Sequence, residues 1–351
     1  MSEFHELSIL SLNKVTEDCV SMGFSIPEGL KENFNFKAGQ YITIKAKIDG
    51  EELRRDYSIC TSPFSNEFRV AVKKVEGGVF SNYANSVLSA NDLLEVSEPR
   101  GRFIYEPEES NIQTIVAFAA GSGITPVMSI IKTALSQERD SKFILVYGNK
   151  APKDTIFLDE ILELQSRYPD RFFVHFIFSQ SQESDALFGR IDKSTVNFIL
   201  KNNYKNEPIK AFYLCGPEAM INTVSDLLKE NQVEERKILF ELFTKSSSNE
   251  ENFSEIKEGE TIVTILVDDE ETSFTMSQKK SVLEAALENN IDAPYSCQGG
   301  ICSSCLARIT TGSATMRQNN ILTDQEVEDG LILTCQAHPT SSEICIDYDD
   351  V

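Results

Sequence analysis

The chain has 351 residues, more than one ordinary hydrophobic core supports, so its length predicts two or three domains. Its 55 Asp and Glu residues against 33 Lys and Arg residues give a formal net charge of -22, and such a surface repels nucleic-acid phosphates and anionic lipid headgroups. No apolar run reaches the roughly 20 residues of a membrane-spanning helix, and the N-terminus carries no signal-peptide pattern. We therefore expect a cytoplasmic protein that neither binds nucleic acid nor inserts into a membrane.

The first part of the chain, over residues 1–107, reads as short alternating strands separated by turn signals. QYITIKAKI, FRVAVKKV and LLEVSEP are examples of the strands, and DG, SN and GG mark turns. This pattern predicts an antiparallel β-barrel or sandwich, and we expect the barrel.

The pattern changes near residue 112, where predicted strands begin to alternate with predicted helices. The strands are TIVAFAA, KFILVYG, FFVHFIF and AFYLCG, and the helices are ITPVMSIIKTALS, TIFLDEILELQSRY and EAMINTVSDLLKEN. Such alternation predicts a parallel, doubly wound α/β domain over residues 108–244. The polar stretch KSSSNEEN predicts a flexible linker over residues 245–258. A third domain, at 259–351, opens with the strand TIVTILVD and the helix SVLEAALENN.

The third domain contains the stretch CQGGICSSC and a further cysteine in LILTCQAHP. Written out, the spacing is C-x4-C-x2-C-x29-C, and its members are Cys297, Cys302, Cys305 and Cys335. Disulfides are rare in the cytoplasm, and zinc sites usually draw ligands from two separated pairs, of which the second is missing here. The spacing matches plant-type [2Fe–2S] proteins, and Gly299 and Gly300 would let the loop wrap closely round a cluster. We predict a [2Fe–2S] cluster, with zinc as the alternative.

The cluster domain is also the most acidic part of the chain. Residues 260–351 hold sixteen acidic and four basic side chains, a net charge of -12. Such a field would guide the encounter with a redox partner. A merely solubilising surface explains the same composition, and the sequence leaves both interpretations open.

Two stretches of the first domain suggest a flavin nucleotide. RRDYSIC places Arg55 and Tyr57 on one face of a predicted strand and Ser58 on the other. Arginine suits a phosphate, and tyrosine offers a flat surface to an aromatic ring. EGGVFSNY places a glycine pair before Ser81, where we expect a helix to begin, and such turns hold anions. Each stretch alone is a weak signal, because these residues are common on strands and in turns.

Two stretches of the second domain suggest a dinucleotide. GSGITP (121–126) follows a buried strand and opens a helix, although it departs from the G-x-G-x-x-G pattern, and an ordinary tight turn is the alternative. CGP (215–217) ends another strand, where open parallel sheets bind ligands. The alternative interpretation is that Cys215 is simply a small buried residue.

Taken together, these stretches resemble the ferredoxin–NADP reductase family fused to a plant-type ferredoxin, over nearly the whole chain. Within that family they are similar to the reductase subunits of phenylacetyl-CoA epoxidase systems, which act in phenylacetate degradation. The shared stretches are RDYSIC, VKKVEGGVFSNY, AAGSGITPVMSIIKT, LVYGNK, FSQ, GRID, CGPEAM, PYSCQGGICSSC and LTCQAHPTSSEICIDYD. The resemblance implies a flavin-binding β-barrel, an α/β nicotinamide-binding domain and an α+β (β-grasp) ferredoxin domain.

The resemblance also assigns roles to residues. It implies that Arg55 holds a flavin phosphate, that Tyr57 packs on the isoalloxazine and that Ser58 lies near its reactive N5. The other implied flavin residues are Val72, Lys73 and the pyrophosphate turn Gly77, Gly78 and Ser81. The implied nicotinamide residues are the loop Gly121, Ser122, Gly123, Thr125 and Pro126, followed by Cys215, Gly216 and Pro217. Ser58, Cys215 and Glu241 are the predicted catalytic residues, and Cys297, Cys302, Cys305 and Cys335 are the predicted cluster ligands.

Two positions depart from the family pattern, and two features bear on the choice of cofactor. Phe243 stands where the family has a tyrosine that covers the flavin, and Gln298 stands where plant-type ferredoxins commonly carry a basic residue. Ser179 occupies the strand end where a carboxylate would favour NAD, and Arg190 follows within reach, so we expect NADPH with NADH as the alternative. The turn GGVFSNY favours FAD, because FMN-containing relatives with this domain order generally lack it.

Electron counting then links the three cofactors. A reduced nicotinamide delivers two electrons to the flavin, and the cluster carries them singly to an external acceptor. The resemblance therefore implies an NAD(P)H-dependent reductase component of a multicomponent oxygenase, with phenylacetyl-CoA epoxidase as the expected partner. The alternatives are another acceptor, such as a desaturase, a hydroxylase or a soluble carrier, and a non-enzymatic zinc-binding interaction module.

Overall fold

The computed structural model describes residues 4–108, 112–204, 207–243 and 259–351. Contacts divide them into two compact units, Phe4–Phe243 and the described residues from 259 onward. The predicted linker at 245–258 lies outside the described residues, and the predicted domain boundaries stay predictions. In the part of the chain that the structure describes, no helix is long and apolar enough to cross a membrane.

The first unit begins with a six-stranded antiparallel sheet. Its elements are β1 (Phe4–Thr16), β2 (Cys19–Ser25), β3 (Tyr41–Ile48), β4 (Glu51–Ser58), β5 (Phe68–Lys73), α1 (Val79–Ser86) and β6 (Leu93–Ser97). The strand order is β4-β3-β6-β1-β2-β5, and every neighbouring pair is antiparallel. A bridge between Ile59, just past β4, and Val70 on β5 joins the two edge strands. The predicted antiparallel barrel is thereby confirmed.

Strand β2 shows how the barrel is attached to the parallel sheet of the same unit. Val20, Met22 and Phe24 fill the core of the barrel, whereas Cys19 joins a second core that the barrel shares with the parallel sheet. Because both faces of the strand are covered, every residue from Cys19 to Phe24 is buried. The sequence CVSMGF therefore places large apolar residues on the barrel face and small residues on the other face, where a second layer packs closely.

The rest of the first unit is a parallel sheet with helices between its strands. Its elements are β7 (Thr114–Ala120), α2 (Ile124–Gln137), β8 (Lys142–Asn149), α3 (Leu158–Arg167), β9 (Phe172–Phe178), β10 (Leu187–Phe188), α4 (Lys193–Phe198), β11 (Ile209–Gly216), α5 (Glu218–Glu230) and β12 (Ile238–Leu242). The order β10-β9-β8-β7-β11-β12 is parallel throughout, which confirms the predicted doubly wound sheet. The chain reverses direction across the sheet at β7, and ligands bind at the strand ends beside such a switch point.

One helix of this sheet begins later than its sequence predicts. TIFLDEILELQSRY predicts a helix from Thr155, but α3 begins at Leu158. Phe157 takes a left-handed conformation with φ of 62°, and its ring is 2% exposed. Burial of this ring in the shared core outweighs the local preference for helix.

A polar seam joins the barrel to the parallel sheet, and it consists of Cys60, Thr61, Ser62, Arg69, Ser129, Lys132, Thr133 and Glu160. Helix α2 supplies three contacts to the loop after β4: Ser129 Oγ to the Thr61 carbonyl (2.6 Å), Lys132 Nζ to the Cys60 carbonyl (3.3 Å) and Thr133 Oγ1 to Ser62 Oγ (3.1 Å). Glu160 on α3 accepts from Arg69 Nη2 at 3.0 and 3.2 Å and lies 2.6 Å from Lys132 Nζ. The seam therefore fixes the loop that follows Ser58 against the helix that follows the GSG turn.

The second unit is an α+β fold. Its elements are β13 (Glu260–Val267), β14 (Glu270–Ser277), α6 (Val282–Glu288), β15 (Leu306–Thr311), β16 (Ala314–Met316), α7 (Asp324–Glu328), β17 (Leu331–Leu333), β18 (Ala337–Pro339) and β19 (Glu343–Asp347). A mixed sheet in the order β14-β13-β19-β15-β17 shares one core with α6. Ser281 and Glu284 form a capping box that starts this helix. The sheet and its helix have the predicted β-grasp architecture.

Candidate functional site

Residues from three separate stretches meet at the C-terminal edge of the parallel sheet. Cys215 on β11 lies opposite Glu241 on β12 in the parallel register. The Ser58 hydroxyl, at the end of the barrel strand β4, donates to Glu241 Oε2 at 3.2 Å. The structure thus brings the three residues predicted to be catalytic to one place, although Ser58 and Glu241 are 183 positions apart.

Burial controls the protonation of this group. Burial raises the pKa of the Glu241 carboxyl to about 8, although the hydrogen bond from Ser58 opposes the rise. Burial and the neighbouring Glu241 carboxyl also raise the pKa of the Cys215 thiol well above its usual range. Near neutral pH the site therefore presents a neutral thiol, a hydroxyl and a largely protonated carboxyl. Such polar but uncharged groups suit contact with a flat heterocyclic ring.

The GSG turn reaches this place by contacts that require glycine. A Cβ on Gly123 would lie 2.1 Å from the carbonyl oxygen of Cys215. Gly121 has a φ of 55°, and a Cβ there would lie 3.5 Å from Nζ of Lys73, at the end of β5. The turn opens directly onto α2, and free backbone N–H groups at a helix start bind phosphate. With the ammonium of Lys73, a residue predicted for the flavin, beside it, the turn suits a pyrophosphate.

The remaining predicted members of the nicotinamide site support the two strand ends. Thr125 Oγ1 donates to the Ser122 carbonyl at 3.0 Å and stabilises the turn. Pro126 is buried within the first turn of α2. Gly216 ends β11, where a Cβ would lie 3.2 Å from the Ala120 nitrogen, and Pro217 caps α5.

The predicted flavin residues Arg55, Tyr57 and Val72 lie on the barrel strands β4 and β5. The Tyr57 ring lies 5.6 Å from the Phe80 ring of α1, so that the strand packs against this helix. Arg55 is exposed, and its Nη1 donates to the Arg54 carbonyl at 2.7 Å. Val72 is buried in the barrel core, and its carbonyl accepts from Asn85 on α1 at 3.0 Å.

The glycine turn before α1 is preorganised, but its serine has a local role. Gly77 has a φ of 70°, and a Cβ there would meet open space. Helix α1 begins at Val79 rather than at Ser81, because Gly78 takes the N-cap position. The Ser81 hydroxyl accepts from the Val75 backbone N–H at 3.1 Å and donates to the Gly78 carbonyl at 3.2 Å. Ser81 therefore shapes the turn, and the Gly78 N–H is also used within it, since it donates to the Val75 carbonyl at 3.0 Å.

Ser179 and Arg190 follow two neighbouring strands of the sheet. Ser179 follows β9, and its backbone N–H donates to the Asn149 carbonyl at 3.0 Å. Gly189 N–H donates to the Phe178 carbonyl at 2.9 Å, and Arg190 comes two residues after the last pairing of β10 with β9. Arg190 is exposed and Ser179 is half-buried. Phe243, the predicted flavin cover, follows β12 and is 36% exposed.

The four predicted cluster ligands form two pairs. Cys302 Sγ lies 3.0 Å from Cys297 Sγ, and the Cys305 and Cys335 thiols are hydrogen-bonded to each other. Within the described ranges, no group of three or more His, Cys, Asp and Glu side chains converges as it would on one metal ion. Two thiolate pairs are what a [2Fe–2S] cluster needs, because each of its two irons takes two protein ligands.

Backbone N–H groups already point at these sulfurs. The hydrogen bond from Cys302 lowers the pKa of the Cys297 thiol to about 6 against the effect of burial, helped by the backbone N–H groups of Gly299, Ile301 and Cys302. Gly300 has a φ of 69°, and its N–H bonds Cys335, whose pKa is lowered chiefly by the bond from Cys305. The hydrogen bond with Cys335 and burial raise the pKa of the Cys305 thiol, so one thiol of each pair favours the thiolate and the other the neutral form. The two thiol pairs and the N–H groups that face Cys297 and Cys335 fit a [2Fe–2S] cluster.

Two features of the site have little signal in the sequence. The polar seam is made of residues such as Ser129, Thr133 and Glu160, which are ordinary on helix surfaces and are revealed only by the packing of α2 and α3. Gln336, next to Cys335, sends its side-chain amide back to the cysteine loop. Its place directly after a ligand is the only sequence signal that points to it.

Three family models match the chain in the predicted order. An oxidoreductase FAD-binding domain matches residues 6–105, an oxidoreductase NAD-binding domain matches 118–226 and a 2Fe-2S iron–sulfur cluster binding domain matches 265–340. These matches confirm FAD, NAD(P)H and a [2Fe–2S] cluster as the cofactors.

Several full-length proteins are similar to the chain. One of the subunits of 1,2-phenylacetyl-CoA epoxidase from Escherichia coli strain K12 is 36% identical over 351 residues, which cover 99% of each chain. The ferredoxin reductase component of 3-ketosteroid-9-alpha-monooxygenase from Rhodococcus rhodochrous is 30% identical over 97% of this chain and 96% of its own. Among solved structures, phthalate dioxygenase reductase gives a TM-score of 0.63 at 26% identity and 98% coverage of both chains. Its structure is described as modular, for electron transfer from pyridine nucleotides to [2Fe–2S].

Proposed function

The chain belongs to the ferredoxin–NADP reductase family with a fused plant-type ferredoxin domain, and on that basis we propose that it passes electrons from NADPH to a phenylacetyl-CoA epoxidase. It is an oxidoreductase, the reductase component of an oxygenase system. The observation that carries the choice of partner is 36% identity to a component of such an epoxidase over the full length of both chains. Full-length similarity matters here because it includes the ferredoxin domain, which must dock on the oxygenase.

The chain's own residues bind, orient and shield the redox groups. When bound, the nicotinamide supplies a hydride, the flavin divides the electron pair and the cluster carries single electrons. Gly121 and Gly123 shape the turn that suits a pyrophosphate, with Lys73 beside it, and Cys215 lines the place for the nicotinamide ring. Ser58 and Glu241 present a hydrogen-bonding edge to the flavin. Because the carboxyl is largely protonated near neutral pH, this edge adds no fixed negative charge where a hydride must pass.

The same geometry supports FAD as the flavin. The Gly77–Gly78 turn opens onto α1, and Tyr57 packs against that helix through Phe80. A flavin ring lying on Tyr57 would therefore have its phosphate chain near this turn, and the first backbone N–H groups of α1 suit a pyrophosphate. Heat release of the flavin followed by chromatography should give FAD, and a finding of FMN would overturn this assignment.

Ser179 and Arg190 support NADPH as the electron donor. They follow the paired strands β9 and β10 at the same edge of the sheet. A guanidinium pairs well with a phosphate, whereas an acidic side chain would favour the free ribose of NADH. NADPH should give the higher kcat/KM in dye reduction. Replacing Arg190 by Ala should lower the value for NADPH and leave that for NADH nearly unchanged, and equal losses with both coenzymes would contradict the assignment.

The charge of the second unit supports a protein partner with a basic docking surface. Residues 260–351 carry a net charge of -12, and complementary fields accelerate docking. We propose a cytoplasmic location, because the reaction draws on NAD(P)H. The test is to reconstitute the protein with phenylacetyl-CoA epoxidase oxygenase subunits and follow NADPH oxidation. We expect NADPH oxidation that depends on phenylacetyl-CoA. If this oxygenase supports no NADPH oxidation but a desaturase or hydroxylase does, the other acceptors would be favoured.

A further inference from the structure

Gln336 follows the predicted ligand Cys335 directly, and its side chain turns back to the cysteine loop. It is 8% exposed. Its Nε2 lies 3.1 Å from the Gln298 carbonyl oxygen and 3.6 Å from Cys335 Sγ. Both neighbours are acceptors, so the amide nitrogen, with its two N–H groups, must face them rather than the amide oxygen.

The backbone holds this side chain in place. The Gln336 N–H donates to the Leu333 carbonyl at 2.8 Å, and its carbonyl accepts from the Arg317 N–H at 2.9 Å. A Cβ on Gly300 would lie 3.1 Å from Gln336 Cγ, so the methylene stem packs on the loop. Little room remains for another orientation, and the amide is preorganised towards the sulfur.

Gln298 explains why the second N–H of the amide matters. Gln298 has a φ of 50°, an unusual conformation for a residue with a side chain. Its carbonyl oxygen accepts the Gln336 bond, which helps to hold the loop in this conformation. One side chain therefore bonds a ligand sulfur and the loop that carries the other ligands.

We propose that Gln336 is a positioning residue that raises the reduction potential of the [2Fe–2S] cluster. An electron added to the cluster increases the negative charge on the ligand sulfurs, so an N–H donor stabilises the reduced state more than the oxidised state. This inference rests on the proposed function, because it requires Cys335 to be a ligand. It adds that a neutral donor at this place keeps the cluster reducible by the flavin.

The test is the cluster midpoint potential of the full-length holoprotein, measured by anaerobic spectroelectrochemistry. Gln336→Met keeps the length of the side chain but removes both N–H donors, and Gln336→Glu keeps the shape but replaces the amide by a carboxyl group. Gln336→Met should lower the reduction equilibrium constant about tenfold, a fall of roughly 59 mV for one electron. At a pH at which the new carboxyl is ionised, Gln336→Glu should lower the potential further, because a negative charge then repels the added electron.

The matched control is Gln325→Met, since the Gln325 amide bonds Asp329 on the surface of the same unit. It should leave the cluster potential unchanged, and the flavin potential should be constant in all three variants. An unchanged cluster potential in Gln336→Met at full cluster occupancy would overturn the proposal. Failure of the proposed ligand set would show differently: if Cys335 is not a ligand, Cys335→Ala keeps its cluster.

A measurement on the wild-type protein does not depend on how the variants fold. With glutamine labelled by ¹⁵N at the side-chain amide, pulsed electron paramagnetic resonance of the reduced cluster should show coupling to a labelled nitrogen. Gln336→Met should abolish this coupling, and Gln325→Met should retain it. Absence of any coupling in the wild-type protein would overturn the proposal by itself.

Discussion

Replacing Glu160 by Gln should weaken the polar seam between the barrel and the parallel sheet. The Glu160 carboxylate pairs with Arg69 and Lys132, and their side chains are only 30%, 20% and 19% exposed, respectively. Both cations also lie over the Phe157 ring, at 5.9 Å from its centroid. An amide in place of the carboxylate removes the anion that the two cations share, and leaves both cations largely buried next to each other.

The size of the effect follows from this partial burial. Breaking a buried pair by removing one partner costs about 3–5 kcal/mol, whereas an exposed pair contributes about 0–1 kcal/mol. All three groups keep some exposure, and Arg69 also has a weaker contact with Glu67 at 3.8 Å. We therefore expect the free energy of unfolding to fall by about 2–3 kcal/mol. For a unit of this size, about 2–4 °C of Tm are lost per kcal/mol, so Tm should fall by roughly 4–12 °C.

The pH dependence gives a second signature. Burial raises the pKa of Glu160, but the charges of Lys132 and Arg69 prevail and hold it below its usual 4.5. A lowered folded pKa means that the stabilisation is present above the unfolded pKa and is lost as pH falls through the folded value. The stability gap between wild type and Glu160→Gln should therefore be full at pH 7 and close below about pH 4.5.

The assay is thermal unfolding of the FAD-loaded protein, combined with steady-state dye reduction by NADPH. Because the seam sets the flavin strand against the helix after the GSG turn, kcat should fall about tenfold while KM for NADPH changes little. Glu163→Gln is the matched control, since Glu163 is on the same helix and its pair with Arg167 is exposed on both sides. Equal Tm and kcat in Glu160→Gln and Glu163→Gln would refute the reasoning.

Three further predictions concern the candidate site and the linker. Cys335→Ala should deplete the cluster and leave FAD and dye reduction intact, as absorption spectra would show; full cluster occupancy would contradict its role as a ligand. Burial raises the pKa of Glu241 to about 8, so the free energy of unfolding that depends on its protonated form should decline between about pH 4.5 and 8. Urea unfolding of Glu241→Gln should lack this decline, and an unchanged decline would contradict the assignment. Cleavage within 246–251 should preserve dye reduction but abolish most cytochrome c reduction, and added ferredoxin half should restore the latter only in proportion to its concentration; full activity after cleavage would contradict coupling through the linker.

Much of the fold follows from local patterns. The strands TIVAFAA and FFVHFIF have their predicted bounds, because short apolar runs between turn residues specify buried parallel strands. The start of α3 differs from its predicted position, because the shared core, rather than its neighbours in sequence, determines the burial of Phe157. The helix after GG begins at Val79 rather than at Ser81, because Gly78 takes the N-cap position.

The candidate site was foreseeable as a set of motifs but not as a geometry. The spacing of the cysteines predicts their grouping, yet the division into the pairs Cys297–Cys302 and Cys305–Cys335 depends on the path of the loop. The hydrogen bond from Ser58 to Glu241 joins residues whose distance is set by how the barrel packs on the sheet. Long-range contacts between polar side chains leave no periodic pattern, so the polar seam and the Gln336 contact required the structure.

The central claim is that electrons reach the oxygenase through the cluster. The most direct measurement mixes the NADPH-reduced holoprotein with phenylacetyl-CoA epoxidase oxygenase subunits, phenylacetyl-CoA and oxygen in a stopped-flow instrument. We expect the cluster absorption to return to its oxidised form at least as fast as steady-state epoxidation, and Cys335→Ala to support no epoxidation despite normal dye reduction. Epoxidation by Cys335→Ala at the wild-type rate, with its cluster absent, would contradict the account.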